Sequence, residues 1–241
     1  DLSNGGDDLS LWEELEQILS WEYPFGHLAG IPAKLTVTEV TKRISMTEEE
    51  EDLLALAGLH QPRRPAFVQE RGMTPTEYGT AIHTVLQHLH LKPPMNRTDI
   101  EQELTRLVEK RIISKEQAME IEIESLVSFF KSSLGQRLLA ATRVEREIPF
   151  TCRMPARTLL QKPVDEPVVL QGVVDCLFLD ATMHRWVLID FKSDQGGIVP
   201  KRLEAYRRQI KIYREALLLQ DWPVDEGYLC FLSTDQILQV F

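Results

Sequence analysis

The chain has 241 residues, 43% of them hydrophobic, with three cysteines and a formal net charge of −10. That length suffices to bury a full core in one domain or one and a half. The wide spacing of Cys152, Cys176 and Cys230 excludes a disulfide framework, a cysteine zinc site and an iron–sulfur cluster, and no apolar run approaches the roughly 18 residues of a membrane span. The acidity is local. Residues 1–60 hold 13 Asp and Glu against 3 Lys and Arg, which accounts for the whole net charge, and the remainder is balanced. The negative total therefore does not exclude a nucleic-acid partner, because phosphate binding needs only a local basic patch.

Taken in chain order, residues 1–8 are polar, as in a piece cut from something longer. Residues 9–21 follow with helical spacing, placing Leu11, Trp12, Leu15, Ile18 and Leu19 on one face. Pro24 and Pro32 stop that helix. Residues 36–43 read as a strand or a capped helix, the helix being preferred with Thr36 or Thr38 as cap. An acidic stretch over residues 47–57 and a proline-rich loop over 61–65 suggest a boundary, with an acidic helical arm at 1–62 and the main domain at 63–241. Thr74-Pro-Thr-Glu77 opens the next helix with a capping box and a proline in the first turn. Ile82, Val85, Leu86 and Leu89 form its buried face, His83 lies at the margin of that face, and Gly79 permits close approach one turn earlier. Helices are predicted over 98–111 and 115–131, and another around Gln136.

The pattern then changes to alternation. Residues 144–150 read as a strand with Glu145 and Glu147 on one side and Pro149 marking an edge or bulge. A loop with Pro155, Pro163 and Pro167 leads to an apolar strand, residues 171–179, with Asp175 in its middle. A second apolar strand, residues 186–192, ends in Asp190-Phe-Lys192. A hairpin turn centred on Thr182-Met183 puts Asp190 opposite Asp175, and alternation puts Lys192 on the face of Asp190. Two like charges side by side repel unless a cation neutralises them. An acid-x-lysine triplet is ordinarily a solvated strand end. Here the strand is apolar on both faces, hence central and covered, and charges at its end are costly unless paired or bound to metal. The pair and its lysine thus point to a metal-dependent hydrolase.

An amphipathic helix is predicted over 200–219, with Tyr206, Gln209, Ile210, Tyr213 and Leu217 on one face. It is also basic: from Lys201 to Arg214, Lys201, Arg202, Arg207, Arg208, Lys211 and Arg214 stand against Glu204 alone. Such a stripe is either a solvated face or a phosphate-binding patch. Strands over 228–232 and 237–241 complete an α/β domain built on a mixed central sheet flanked by helices.

Five segments in this order, Gly79-Thr-Ala-Ile-His83, Glu145-Arg-Glu-Ile-Pro-Phe150, Gln171-Gly-Val-Val-Asp175, Ile189-Asp-Phe-Lys-Ser-Asp194 and Tyr206-Arg-Arg-Gln-Ile-Lys-Ile-Tyr213, resemble the RecB-like branch of the PD-(D/E)xK nucleases. The likeness is nearest to the C-terminal nuclease domains of AddA-type helicase–nuclease subunits. It extends to Trp21-Glu-Tyr-Pro-Phe25 and Pro32-Ala-Lys-Leu-Thr-Val-Thr-Glu39, and so covers nearly the whole chain. The resemblance implies a restriction-endonuclease-like core behind an N-terminal helical arm and a metal site of His83, Asp175, Asp190 and the Phe191 carbonyl. It further implies Glu147 as the upstream acid, with Glu145 in reserve, Lys192 positioning the attacking water, and Gln209 and Tyr213 holding the lysine and the strand. Tyr206, Arg207, Arg208 and Lys211 would contact nucleic acid. Phe191 and Ser193 replace the Tyr and Thr more usual beside the lysine, and neither change removes a side-chain ligand.

One imidazole with several carboxylates suits Mg²⁺, with Mn²⁺ able to substitute. The implied partners are DNA, mainly single-stranded, a helicase region of the same full-length chain and an AddB-like second subunit, in the bacterial cytoplasm. The chain has no Gly-x-x-x-x-Gly-Lys-Ser/Thr and should not itself hydrolyse ATP. The competing reading is a non-catalytic DNA-binding or subunit-docking module with a degenerate site. A small-molecule phosphoesterase is disfavoured by the basic helix.

Overall fold

Six apolar segments pair into one mixed sheet in a computed structural model that describes residues 12, 15–16, 18–22, 24–45, 72–160, 163–193 and 200–241. The strands are β1 (Lys34–Thr36), β2 (Arg143–Pro155), β3 (Pro167–Leu179), β4 (Trp186–Lys192), β5 (Val224–Phe231) and β6 (Gln236–Gln239). Strand β3 is the hub. Along one edge it pairs antiparallel with β2. Its other edge takes β1 in parallel at Val169–Gln171, then β4 antiparallel at Cys176–Leu179. Strands β4 and β5 are parallel, and β6 closes the sheet antiparallel to β5. Because β2 pairs only with β3, Pro149 sits on an edge strand, where its missing N–H leaves no ladder bond unmade.

The helices among the described residues are α1 (Val37–Ser45), α2 (Pro75–His88), α3 (Arg97–Glu109), α4 (Lys115–Glu120), α5 (Ile123–Lys131), α6 (Ser133–Leu139), α7 (Ala156–Leu160) and α8 (Pro200–Leu218). They cover both faces of the sheet. Val85, Ile100, Phe129 and Phe130 of the α2–α6 layer pack on Phe178, Val187, Ile189 and Phe191. On the opposite face Val40, Leu159, Ile210 and Leu217, from α1, α7 and α8, pack on Leu170, Leu177, Leu188 and Leu229. Strand β4 is therefore apolar on both sides because it is covered on both sides. Gly172 permits the tight packing of the second core: a Cβ there would lie 2.6 Å from the Phe150 ring and 2.9 Å from Val37.

The α/β class and the mixed sheet are as the sequence predicts, and local signals fix most element starts. Thr74 and Glu77 form the expected capping box at α2. Thr36 caps α1 through a reciprocal pair with Glu39, so residues 34–45 are a short strand followed by a helix. This part of the acidic arm is built into the sheet, since a three-residue strand gains its hydrogen bonds only by docking on β3. The boundary near residue 62 lies outside the described residues. Of the face predicted for residues 9–21, Trp12, Leu15, Ile18 and Leu19 are exposed, and Leu11 lies outside the described residues.

Two predicted elements differ. The single helix expected over 115–131 is two helices, broken at Ile121, whose backbone is extended so that its side chain reaches the core; Ser125 Oγ then donates to Glu122 O at the new start. The strand expected over 144–150 runs on to Pro155, and what reads as a proline loop contains α7. Proline is tolerated at the end of an edge strand.

Arg137 of α6 ties the helical layer to the sheet. Its guanidinium donates to Asp180 at 2.6 Å and to Glu226 at 2.9 and 3.1 Å, and it holds both carboxyls below their ordinary values of 3.8 and 4.5. Depressed carboxyl pKa values contribute stability above the unfolded-state values and lose it as pH falls through the folded ones. Arg137→Leu should therefore cost about 2–3 kcal/mol at neutral pH, as read by denaturant unfolding. The deficit should shrink in acid, once Asp180 and Glu226 are protonated in both proteins.

Candidate active site

Three carboxylates, an imidazole and an ammonium converge where α2, β2, β3, β4 and α8 meet. The hairpin has the register expected from its turn. Cys176 pairs with Ile189 and Leu179 with Trp186, so Asp175 and Asp190 stand opposite each other one step past the last ladder pair. The ladder ends there because Asp175 Oδ2 accepts the Phe191 N–H at 2.8 Å. On the other side of β3, Glu147 drops out of the β2 ladder directly across from Asp175. Its φ of 51° is left-handed, a conformation that a glutamate rarely adopts and that functional sites often hold. Alternation also reverses at this point. Val174 packs in one core and Cys176, two residues on, in the other.

The α2 helix brings His83 to this spot. His83 Nδ1 lies 3.6 Å from Asp175 Oδ1 and 3.7 Å from Glu147 Oε1, and ligand atoms of the three residues fall within 4.8 Å of one another. Gly79, one turn earlier, faces Ser193, whose Oγ would be 3.0 Å from an added Cβ. The close approach predicted there is to a side chain rather than a backbone.

Asp190 is 1% exposed. Its Oδ2 accepts no hydrogen bond, although Lys192 Nζ is 2.7 Å away as an ion-pair partner off the bonding direction. Lys192 in turn donates to Gln209 Oε1 at 3.0 Å and sits 4.4 Å from the centre of the Tyr206 ring. Gln209 Nε2 continues the chain to the Tyr213 hydroxyl at 3.0 Å, and Tyr213 stacks edge-on against Phe150. Thus α8 presents Tyr206, Gln209 and Tyr213 to the lysine as the predicted face does. Phe191 directs its ring into the core, edge-on to Phe129 at 5.2 Å.

The remaining predicted residues separate. Arg207 and Lys211 are exposed on α8. Arg208 turns inward, donating from Nη2 to Thr158 O at 3.3 Å, with Nε buried. Glu145 pairs with Arg143 at 2.8 Å, away from the site. Arg146 has no signal in the sequence: it grips the end of α2 by donating to Leu86 O and Leu89 O at 2.9 and 2.7 Å. An arginine alternating with two acids on a strand gives no hint of a carbonyl sixty residues earlier.

Crowded acids determine the electrostatics. Burial, and then the Asp190 carboxylate, push Asp175 up to about 7, against the opposing pull of His83 and Lys192. Burial lowers the His83 value, but attraction to Glu147, Asp175 and Asp190 outweighs it and the net shift is upward. Burial and the two aspartates raise the Tyr213 phenol, which stays neutral. A site that crowds three carboxylates around one ammonium and one imidazole, so that one acid resists ionisation, is short of positive charge. A hard divalent cation fits that deficit, with oxygen donors from Glu147, Asp175 and Asp190 and one nitrogen from His83.

A family model of the PD-(D/E)XK nuclease superfamily matches residues 53–237. The chain belongs to that superfamily. It is 37% identical over 95% of its length to an ATP-dependent helicase/nuclease subunit of the AddA type from Bacillus cereus (strain AH820). The corresponding proteins of Geobacillus thermodenitrificans, at 36% over 95%, and Moorella thermoacetica, at 37% over 92%, are similarly close. The chain spans about a fifth of these relatives, 19% of the first two and 16% of the third. The likeness to AddA-type proteins is thus borne out. No helix among the described residues is long and apolar enough to cross a membrane.

Because a carboxyl and an imidazole must each lose a proton to become ligands, and both Asp175 and His83 are shifted upward, Mn²⁺ affinity should rise with pH through about 7 rather than reach its plateau in the ordinary carboxylate range. Asp175→Asn should weaken Mn²⁺ binding by about tenfold or more, since even outer-shell changes cost that much. Calorimetric titration across that pH range reads both effects.

Proposed function

We propose that this chain is the nuclease module of a larger helicase–nuclease and hydrolyses phosphodiester bonds of single-stranded DNA. The strand would be delivered by a helicase region of the same protein, working with an AddB-like second subunit in the bacterial cytoplasm. Exonucleolytic processing of double-strand breaks for recombinational repair is the task that suits such an assembly. The observation that carries this reading is Lys192, 2.7 Å from a buried Asp190 oxygen with no hydrogen bond, beside the His83–Glu147–Asp175 set. Supporting it are membership of a nuclease superfamily and kinship with proteins named for helicase and nuclease activity.

His83, Glu147, Asp175 and Asp190, with the Phe191 carbonyl, would hold Mg²⁺, or Mn²⁺ in its place. When bound, the ion supplies positive charge to a non-bridging phosphate oxygen. The chain's own groups do the rest. Lys192 has three donors; Gln209 takes one, and Asp190 and the Tyr206 ring restrain the ammonium. A donor remains to orient the attacking water and meet charge developing on the phosphate. Tyr213 fixes Gln209 and hence the lysine. Arg207 and Lys211, one turn apart on the exposed side of α8, would guide the phosphate backbone. The intact set favours catalysis over a degenerate, purely binding module.

End-labelled single-stranded DNA should be cut with Mg²⁺, left intact in EDTA, and left intact by Asp190→Ala. Lys192→Ala should cut at least about a hundredfold more slowly while still binding Mn²⁺. Cutting by Asp190→Ala at the normal rate would rule out this site. In anisotropy titrations, Arg207→Ala and Lys211→Ala should each reduce the slope of log affinity against log salt by roughly 0.7. Arg208→Ala, whose arginine is tied to Thr158, should leave that slope unchanged.

A further inference from the structure

A groove of about 460 Å³ runs along α2 to the metal-site residues His83 and Glu147, with Ser193 also in its lining. Its volume is in the range of small-molecule sites. Its lining is unlike the basic face of α8, for the described residues that form it include no lysine, no arginine and no aromatic side chain other than the His83 imidazole. Along the helix it presents Thr76, Thr80, Thr84 and Gln87. Two of these hydroxyls have spent their protons: Thr80 Oγ1 donates to Thr76 O at 3.0 Å, and Thr84 Oγ1 to Thr80 O at 2.8 Å. A hydroxyl has one donor and two acceptor lone pairs, so these two offer the groove acceptors only.

The groove also holds donors, the Gln87 amide and the Thr76 and Ser193 hydroxyls, but among the described residues no lysine or arginine to meet the charge of a phosphate. A nucleobase with N–H groups on its Watson–Crick edge finds matching acceptors. Resting on the nuclease reading above, we propose that the α2 groove seats the sugar and base of a nucleotide next to the scissile phosphate. The threonine acceptors would take hydrogen bonds from the base, while the phosphate backbone lies towards α8. The strand would thus enter with a defined roll, base to α2 and backbone to the basic helix. With no Phe, Tyr or Trp to stack on, the groove would grip the base by its edge, unlike the aromatic platforms that hold single strands regardless of sequence.

The test compares two short labelled strands with identical phosphates, one of deoxycytidines and one with abasic sugars at the same positions. Anisotropy with Mg²⁺ on the Lys192→Ala chain keeps the strands whole. Lys192→Ala alone should prefer the deoxycytidine strand. Adding Thr80→Val and Thr84→Val, which keep the shape and remove the oxygens, should weaken that strand's binding by about tenfold and leave the abasic strand unchanged. Equal losses on both strands would mean that the groove holds backbone, and no loss on either would mean that it holds nothing; each overturns the proposal. Binding of neither strand by Lys192→Ala itself would sink the nuclease reading as well, a result distinct from the other two. Circular dichroism confirms that the triple variant is folded.

Discussion

Asp175 and Asp190 are held side by side in the interior, and the rest of the site is arranged around the cost of keeping them there. Taking a carboxylate out of water costs several kcal/mol even after relaxation, and a second one opposite adds repulsion. The fold meets the first charge with the Phe191 N–H and His83, and the second with Lys192. The compensation is incomplete, since burial and the second carboxylate still push Asp175 upward. An incompletely neutralised acid cluster is a poor stabilising element and a good cation receptor.

The sheet supplies the rigidity that this tension needs. Strand β4 lies between β3 and β5 and is buried on both faces, so its last residues cannot swing out to solvent. The left-handed backbone at Glu147 breaks the edge ladder at the one place where a third carboxylate must turn towards Asp175. Arg146, the next residue back, anchors the end of α2, which keeps His83 over the same point. Strain and anchor are neighbours in sequence, and both act on the distance between a helix and a strand.

Helix α8 divides its labour by face. Ile210, Leu217 and Ala216 build the core, Gln209 and Tyr213 hold the lysine from within, and Arg207 and Lys211 face solvent. The strand connection β4–α8–β5 sets this geometry, because a parallel crossover must lay its helix back across the strand it has just left. Lys192 and its partner Gln209 thus meet although they stand 17 positions apart in the chain.

Local physics was legible in the residues themselves. Alternation gave the strands, the Asp180–Arg185 turn set the hairpin register, and Thr74–Glu77 marked the start of α2. These depend on spacing along the chain, which the sequence determines by itself. The face of α8 that carries Gln209 and Tyr213 was legible for the same reason. Tertiary structure decided what depends on distant groups. The break at Ile121 follows from a core position that no local propensity announces. Arg208 points inward because a carbonyl of α7 lies there, whereas Arg207 beside it faces solvent. Asp190 faces Lys192, and Glu147 joins His83 and Asp175, because packing brings five elements to one point. Charge partners are chosen in space, and composition records only that the charges exist.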